Sequence, residues 1–455
     1  MKSHNNFFLR TLAPIHVGCD EVYEPAGFVV DESAQTLISF DPINFINNLS
    51  DKDKVLFSQI CARGTIDSLL ELYKFMRGKP VTGLGVNLSK GFIDHYQALL
   101  GMKIGDRRLQ NDMNQFTINR TAFNVNSQLP YIPGSAVKGA LRTAYLNWAA
   151  KVFPSNERKG KDLEKDLLKG SFQSDPLRML KVSDFIPVYG VKTKICYAIN
   201  EKKKPSNQAA RGPYQILEVI EPGAIFSGSV TIDEPFAGAG IERPLSQKLL
   251  FENAMMFFTD EKEREDRELA AVSLTGTKYD PLKDGHLLRL GRHSGAECLT
   301  IEGHRKIKIM RGRGEQAATS SIGAGTFWLA AEERKPESGS RSTLRPFGWV
   351  VLETPYDLPM DKPAVATVSM GLLEQKIKPA EEKPPVAVRT ALEKWCDAIK
   401  VIKANDAGRL CSNIDNALKE LAVDEDKQQF AVFVKEHMGG DFKKSKAKDK
   451  LKGYF

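Results

Sequence analysis

The chain has 455 residues, 42% of them hydrophobic and 27% charged, which is globular composition with length for about three domains at roughly 150 residues each. Lys and Arg number 65 against 57 Asp and Glu, a formal net charge of +8 that points to an acidic partner without naming one. No apolar run approaches the ~18 residues of a membrane span, the first ten residues lack the apolar core of a signal peptide, and the six cysteines and seven histidines form no CxxC, HExxH or HxH pattern, so a cytoplasmic protein without metal or cofactor is expected.

Residues 7–17 are apolar and partly alternating, a strand. Residues 27–30 and 36–40 flank the polar 31–35 in a hairpin pattern. From Asp41-Pro42 the apolar spacing turns helical, at Ile43, Phe45, Ile46 and Leu49 and then from Val55 to Tyr73. Gly78-Lys79-Pro80 interrupts it. Residues 42–100 thus read as a helical insertion in a β-rich domain. Residues 107–128 alternate at Phe116, Ile118, Phe123 and Val125, which predicts strands with a loop.

The clearest helix start lies in 130–143. Pro133-Gly134 makes a turn, and Ser135 is placed to cap the helix by accepting a backbone amide. Val137, Leu141, Ala144 and Trp148 then form one buried stripe. Lys138 and Arg142, four apart, share a neighbouring face. Open first-turn amides, a capping hydroxyl and two cations make a phosphate-binding helix start. An ordinary capped helix with two surface cations fits the same residues equally well. The GxxxxGK[ST] spacing of a nucleotide-binding loop is missing.

Residues 157–181 are charged with short helical stretches. Strands return over 182–199, break at the polar loop 201–212, and continue as 214–220 and 224–232. Glu221-Pro222-Gly223 joins these last two in a hairpin pattern. Residues 245–258 form an amphipathic helix. The basic excess then concentrates: residues 283–313 hold eight basic and three acidic side chains. Within them Arg289 runs along a strand into Gly291, and Arg292, His293 and Ser294 occupy a glycine-flanked loop. Such a loop brings backbone amides close to a polyanion. His293 has the position of a general base only if Glu297 orients it; stacking on a nucleotide or a plain surface role fits as well. Further strands are expected at 287–290, 307–310, 327–331 and 348–353, between glycine-rich turns at 312–314, 322–327 and 345–349. Phe327, Trp328 and Trp349 read as core aromatics.

Residues 374–386, rich in Lys, Glu and Pro, form a linker by composition. Helical spacing follows at Leu392, Trp395, Ile399 and Ile402, and again at Leu410, Ile414, Leu418 and Leu421. Residues 439–455 carry six Lys and two Asp and read as a tail disordered in the free chain. Strands mixed with helices, without regular alternation, predict an α+β chain and not a doubly wound sheet or barrel.

Tyr131-Ile132-Pro133-Gly134-Ser135, followed by Lys138-Gly139 and Leu141-Arg142, resembles the signature of the CRISPR-associated RAMP proteins. The opening 11–18, TLAPIHVG, resembles their first strand and its glycine turn. Leu290-Gly291-Arg292-His293-Ser294-Gly295 and Pro346-Phe347-Gly348-Trp349 narrow the resemblance to the RAMP subunits of type III-A effectors, the Csm complexes, and among these to the terminal one. The match runs in order from about residue 7 to 353.

The resemblance implies two RRM-like (ferredoxin-like) domains, 1–180 with the helical insertion and 181–355, then a linker over 356–388 and a helical extension over 389–455. It implies a non-catalytic subunit that caps the 3′ end of the guide RNA (crRNA), contacts target RNA and supports crRNA maturation in antiviral defence. Its implied partners are the backbone and small subunits of the complex and a host maturation ribonuclease. The RNA-binding set expected is His16, Gly134, Ser135, Lys138, Arg142, Arg289, Arg292, His293, Ser294, Arg311 and Arg313, with the cations on phosphates. Two alternatives stay open: a metal-independent endoribonuclease using His16 or His293 as base with Lys138 or Arg292 stabilising charge, and a backbone subunit of a related type III complex.

Overall fold

The computed structural model describes residues 6–153, 155, 160–170, 173–206, 210, 212–310, 318–337, 339–354, 391–402 and 406–455. The chain divides into two compact units, Met1–Gln375 and Lys376–Phe455.

In chain order the strands of the first unit are β1 (Asn6–Thr11), β2 (Gly18–Val22), β3 (Phe28–Asp31), β4 (Thr36–Ser39), β5 (Leu84–Leu88), β6 (Ile118–Thr121), β7 (Leu180–Val182), β8 (Ile186–Tyr189), β9 (Thr193–Lys202), β10 (Gln215–Ile220), β11 (Ile225–Ile232), β12 (His286–Arg289), β13 (Ile307–Met310), β14 (Ala318–Ser321), β15 (Thr326–Ala331), β16 (Arg345–Pro346) and β17 (Trp349–Glu353). Its helices are α1 (Pro42–Asn48), α2 (Asp51–Arg63), α3 (Ile66–Met76), α4 (Lys90–Leu100), α5 (Leu109–Gln115), α6 (Gly134–Val152), α7 (Gly160–Leu168) and α8 (Gln247–Ala270).

The first sheet has six strands in the order β12-β17-β1-β11-β7, with β8 also on β11, and every pair is antiparallel. In β1 the period-2 pattern buries Phe7, Leu9 and Thr11 on one face. α6 and α8 cover that sheet. The α6 stripe Val137, Leu141 and Ala144 joins Phe7, Leu9, Phe226, Phe258, Trp349 and Val351 in one core. Taking β17 as the last strand, the order fourth-first-third-second is that of a βαββαβ ferredoxin-like unit built from β1, α6, β7 with β8, β11, α8 and β17.

The second sheet runs β2-β6-β10-β9-β5-β4-β3, with β15 on β9 and β16 on β15. α3 and α4 pack on it through Tyr73, Phe92 and Tyr96. Capping fixes their starts: Thr65 and Ser68 form a reciprocal capping box on α3, and Ser89 accepts from the Phe92 amide on α4.

The α+β class is as expected, but the strands do not divide at 180/181. Both large sheets draw strands from both sides of that boundary, whereas β13 and β14 form a separate two-stranded sheet. The turn at 221–223 is likewise no hairpin. β10 pairs with β9 and β6, whereas β11 pairs with β1, β7 and β8, so the turn carries the chain from one sheet to the other. The helical insertion contains β5, which joins β4 to β9. In 107–128, Leu109 and Met113, one helical turn apart, are buried by α5 instead of a strand. The expected linker 356–388 lies outside the described residues.

The second unit has α9 (Ala391–Lys400), α10 (Ala407–Glu420), α11 (Asp424–Met438) and α12 (Lys446–Leu451) around its own core of Ile399, Leu410, Ile414, Leu421, Phe430 and Val434. The lysine-rich end is ordered, contrary to expectation, because Phe442, Ala447 and Leu451 belong to that core.

Candidate nucleic-acid interface

β12 ends in a loop whose geometry is set by close backbone packing. Gly291 has φ +81°, and a Cβ there would lie 2.4 Å from the His16 carbonyl oxygen. The Arg292 amide donates to that same oxygen at 2.8 Å. The Ser294 hydroxyl donates to the Leu290 and Gly291 carbonyls at 2.9 and 2.6 Å. The Leu290 amide donates to the Gly348 carbonyl, and the Gly348 amide donates to the Pro14 carbonyl. Three sequence motifs, 11–18, 290–295 and 346–349, thereby meet at one place. The glycines in them serve contact between backbones.

Arg292 projects from this knot, exposed and without an ion pair among the described residues. His293 beside it is partly buried at φ +66°. Its ring lies 4.4 Å from Trp328 and 5.4 Å from Phe347, and its Nε2 sits 3.2 Å from Gln215 Oε1. Burial, with Arg292 and His16 adding, brings the His293 imidazole down to about 3. It is therefore neutral near pH 7 and adds no positive charge, a correction to its expected place among the cations. Glu297 is not its orienting partner. Burial would raise that carboxyl, but Lys203 at 2.6 Å and the Ala324 amide at 2.8 Å outweigh it and hold it at about 2. Next to the loop is a cleft of about 360 Å3, walled by His293, Trp328, Lys203 and the exposed Lys308 of β13.

Several other expected residues are framework. Arg289 is 4% exposed; it pairs with Glu265 at 2.7 Å, donates to the Phe347 carbonyl at 3.0 Å and lies over the Trp349 ring. Its guanidinium is thus held inside the fold and not presented to solvent. His16 is 1% exposed. Its Nδ1 donates to the Glu218 carbonyl at 2.8 Å, and its carbonyl accepts the Arg292 amide of the loop. Ser294 is equally buried.

The α6 start differs from expectation. Pro133 stands at the N-cap and Ser135, exposed, makes no capping bond. The Gly134 amide instead donates to Asp184 Oδ1 at 2.8 Å, so a carboxylate already meets the positive end of the helix. A Cβ on Gly134 would come 2.4 Å from the Val182 carbonyl, which is why glycine stands there. Arg142 is neutralised by Glu164 and Asp175 at 2.7 and 2.9 Å. Lys138 donates to the Leu180 carbonyl at 2.8 Å. Arg311 and Arg313 lie outside the described residues.

The structure thus brings Arg292, His293 and the His16 backbone together, whereas the α6 cations pack against β7 and the 164–175 segment. Sequence reasoning missed Gln215, Lys203 and Lys308. Trp328 it took for a core residue, although it is only partly buried, unlike Phe327 and Trp349. Its alternation with the buried Phe327 on β15 was the only signal.

Among the described residues no cluster of His, Cys, Asp and Glu could hold a metal, and no helix is long and apolar enough to cross a membrane.

The first sheet is a ferredoxin-like α+β layer, and the glycine loop at its β12 end presents Arg292 to solvent. The model of the RAMP superfamily matches residues 8–294, more than half of the chain, and the chain belongs to that superfamily. It is 26% identical over 193 residues to the CRISPR system Cms protein Csm5 of Methanocaldococcus jannaschii, an alignment covering 39% of this chain and 42% of that protein. The chain thus spans about two fifths of the length of that curated relative. It is also similar to a chain in a cryo-EM structure of a Csm–crRNA–target RNA ternary complex of a type III-A CRISPR-Cas system, with 20% identity and a TM-score of 0.49, covering 77% of this chain and 100% of that one. A crystal structure of T. onnurineus Csm5 aligns with 18% identity and a TM-score of 0.39, covering 76% of this chain and 99% of that one.

Proposed function

We propose that this chain is a non-catalytic crRNA-binding subunit of a type III-A CRISPR (Csm) complex, capping the 3′ end of the crRNA and acting in the cytoplasm. Membership of the RAMP superfamily and likeness to Csm5 support the assignment to such a complex. The observation that carries RNA binding is the loop 291–295: Arg292 is exposed and unpaired, fixed by its amide to His16, beside a cleft carrying Lys308 and the partly buried Trp328. Cations that track phosphates, next to an aromatic face for a base, are what a single-stranded RNA end requires. The proposed partners are the crRNA 3′ end, target RNA, the backbone and small subunits, and a maturation ribonuclease. Capping implies one copy per complex, which a native mass measurement of the assembled complex reads directly; many copies would favour a backbone subunit.

Guide-RNA affinity measured against salt tests the binding surface. Arg292→Glu should weaken binding to all sequences alike and reduce the salt slope by about one unit or more. An unchanged slope would remove the loop from the interface. The enzyme alternative is met by incubating the purified protein with labelled precursor RNA in the absence of metal. No cleavage is expected; cleavage abolished by His293→Ala would establish a ribonuclease.

A further inference from the structure

The two walls of the cleft beside Arg292 belong to different sheets. The loop 291–295 continues from β12 of the first sheet, whereas Trp328 stands on β15 of the second. Two sets of contacts tie these walls together. One is the His293 ring against Trp328 and beside Gln215 at the start of β10. The other is ionic. Glu297, two residues beyond the loop and 2% exposed, reaches across to the second sheet. Its Oε1 meets the Lys203 ammonium, just past the end of β9, at 2.6 Å. The same oxygen accepts the Ala324 amide, just ahead of β15, at 2.8 Å. The Lys203 amide donates to the Gly325 carbonyl at 3.2 Å, so the two partners of Glu297 are themselves joined.

The charged side chains lining the cleft are Lys203, Arg264, Glu265, Arg289, Glu297 and Lys308. All but Lys308 are engaged with one another or with α8. Lys203 also pairs with Glu268 at 3.0 Å. Arg264 pairs with Glu261 at 2.9 Å and with Glu268 at 2.5 Å, and lies 4.0 Å from Glu297. Arg289 is held by Glu265 at 2.7 Å. A carboxylate in the wall of a site for a polyanion repels its ligand, so contact with RNA does not account for Glu297. A buried ion pair does fix the elements that carry it, because any other arrangement leaves a charge unpaired inside the fold.

We propose that Glu297 is the positioning residue of this cleft. Through Lys203 and the Ala324 amide it fixes the loop of Arg292 against the strand of Trp328, and so keeps the cation for a phosphate and the aromatic face for a base at one spacing. The inference rests on the RNA-binding reading of the Arg292 loop.

Guide-RNA titrations of the full-length protein across a range of salt test it, at a temperature below the melting transition of every variant. By charge alone, losing a carboxylate next to a polyanion tightens binding. Glu297→Gln is expected instead to weaken it at least about fivefold, within the coupling carried by residues that touch no ligand. Parental or tighter binding in Glu297→Gln overturns the proposal. The double variant Glu297→Gln with Lys203→Met removes both charges of the pair and leaves Arg264 its two glutamates on α8. It is expected to melt near the parent, keep the parent's salt slope and still bind RNA at least about fivefold more weakly. Parental affinity in the double variant would show that the pair serves folding alone. A slope lower by roughly one unit would put Lys203 itself on a phosphate and equally sink the positioning role. Arg292→Glu keeps the two readings apart. If it leaves the slope unchanged, RNA binding by the loop fails; if it lowers the slope while the double variant binds like the parent, only the role of Glu297 fails.

Discussion

Arg289 and Arg292 stand three residues apart in the same basic span, yet one is buried and the other free. Arg289 shares its guanidinium among Glu265, the Phe347 carbonyl and the Cys298 thiol, with Trp349 below it and the Trp349 indole also donating to Glu265 at 2.7 Å. Removing one member of such a pair strands a charge in the core, at about 3–5 kcal/mol. Glu265→Ala should lower the urea midpoint accordingly, while Arg292→Ala stays within about 0.5 kcal/mol of the parent. A Glu265→Ala protein with the parent midpoint would contradict the buried network. What separates the two arginines is a glutamate 24 positions earlier on α8, a contact that no local pattern in 283–313 carries.

Acid sensitivity follows from the same burial. His95 and His293, normally near 6.5, are both held at about 3 in the fold. The unfolded chain therefore takes up protons first, and their share of stability is lost as pH falls from about 6.5 towards 3. Glu297 contributes above its ordinary 4.5, and its share is lost as pH falls towards about 2. Stability measured from pH 7 to pH 3 should fall, and His293→Gln should flatten the upper part of that fall. A slope unaltered by His293→Gln would show that the ring is solvated.

At the scale of elements, local chemistry was legible and pairing was not. The 28–31 and 36–39 strands, the start of α6, and the short strands β12, β13, β15 and β17 follow from alternation and turn residues. The Pro-Gly turn at 222–223 marks a reversal equally well, but a turn fixes direction and says nothing about which sheet receives the next strand. Tertiary context likewise overrode the expected cap. Asp184, 50 residues beyond Gly134, does what Ser135 was placed to do. Asp184→Ala should therefore destabilise by about 1 kcal/mol, as loss of an N-cap does, and Ser135→Ala should be near neutral. The reverse ranking in thermal melts would restore Ser135 as the cap. Gly348 is a stricter case. At φ +89°, with a Cβ 2.4 Å from the Leu290 carbonyl, Gly348→Ala should cost about 1–3 kcal/mol and loosen the loop that carries Arg292. A parental melting temperature in that variant would mean the three-motif knot is slack.

For the whole molecule, composition and motif order were enough for the α+β class and the superfamily, because both depend on short segments in sequence order. The exchange of strands across residue 180 was not readable, since β1 has to be matched with partners hundreds of positions away. The second unit shows the opposite limit. Its lysines suggested a solvated tail, yet Phe442, Ala447 and Leu451, the few apolar residues between them, decide the structure by closing its core. Ending the chain at residue 438 should therefore unfold this unit, seen as a loss of helical circular dichroism beyond that of the missing residues. Retention of the full signal from α9 to α11 would mean the end is dispensable.

The place of β1 also governs how the protein can be made. It lies between β11 and β17, so its sheet neighbours leave the ribosome roughly 210 and 340 residues after it, a wait on the order of tens of seconds at the usual pace of translation. Until β11 emerges, Phe7 and Leu9 have no sheet to enter. A nascent chain released before Trp349 presents β1 with one open edge, the kind of strand that recruits other chains. Premature termination between β11 and β17 is thus a route to aggregation, and the late strand at 349–353 works as the latch that ends the exposure.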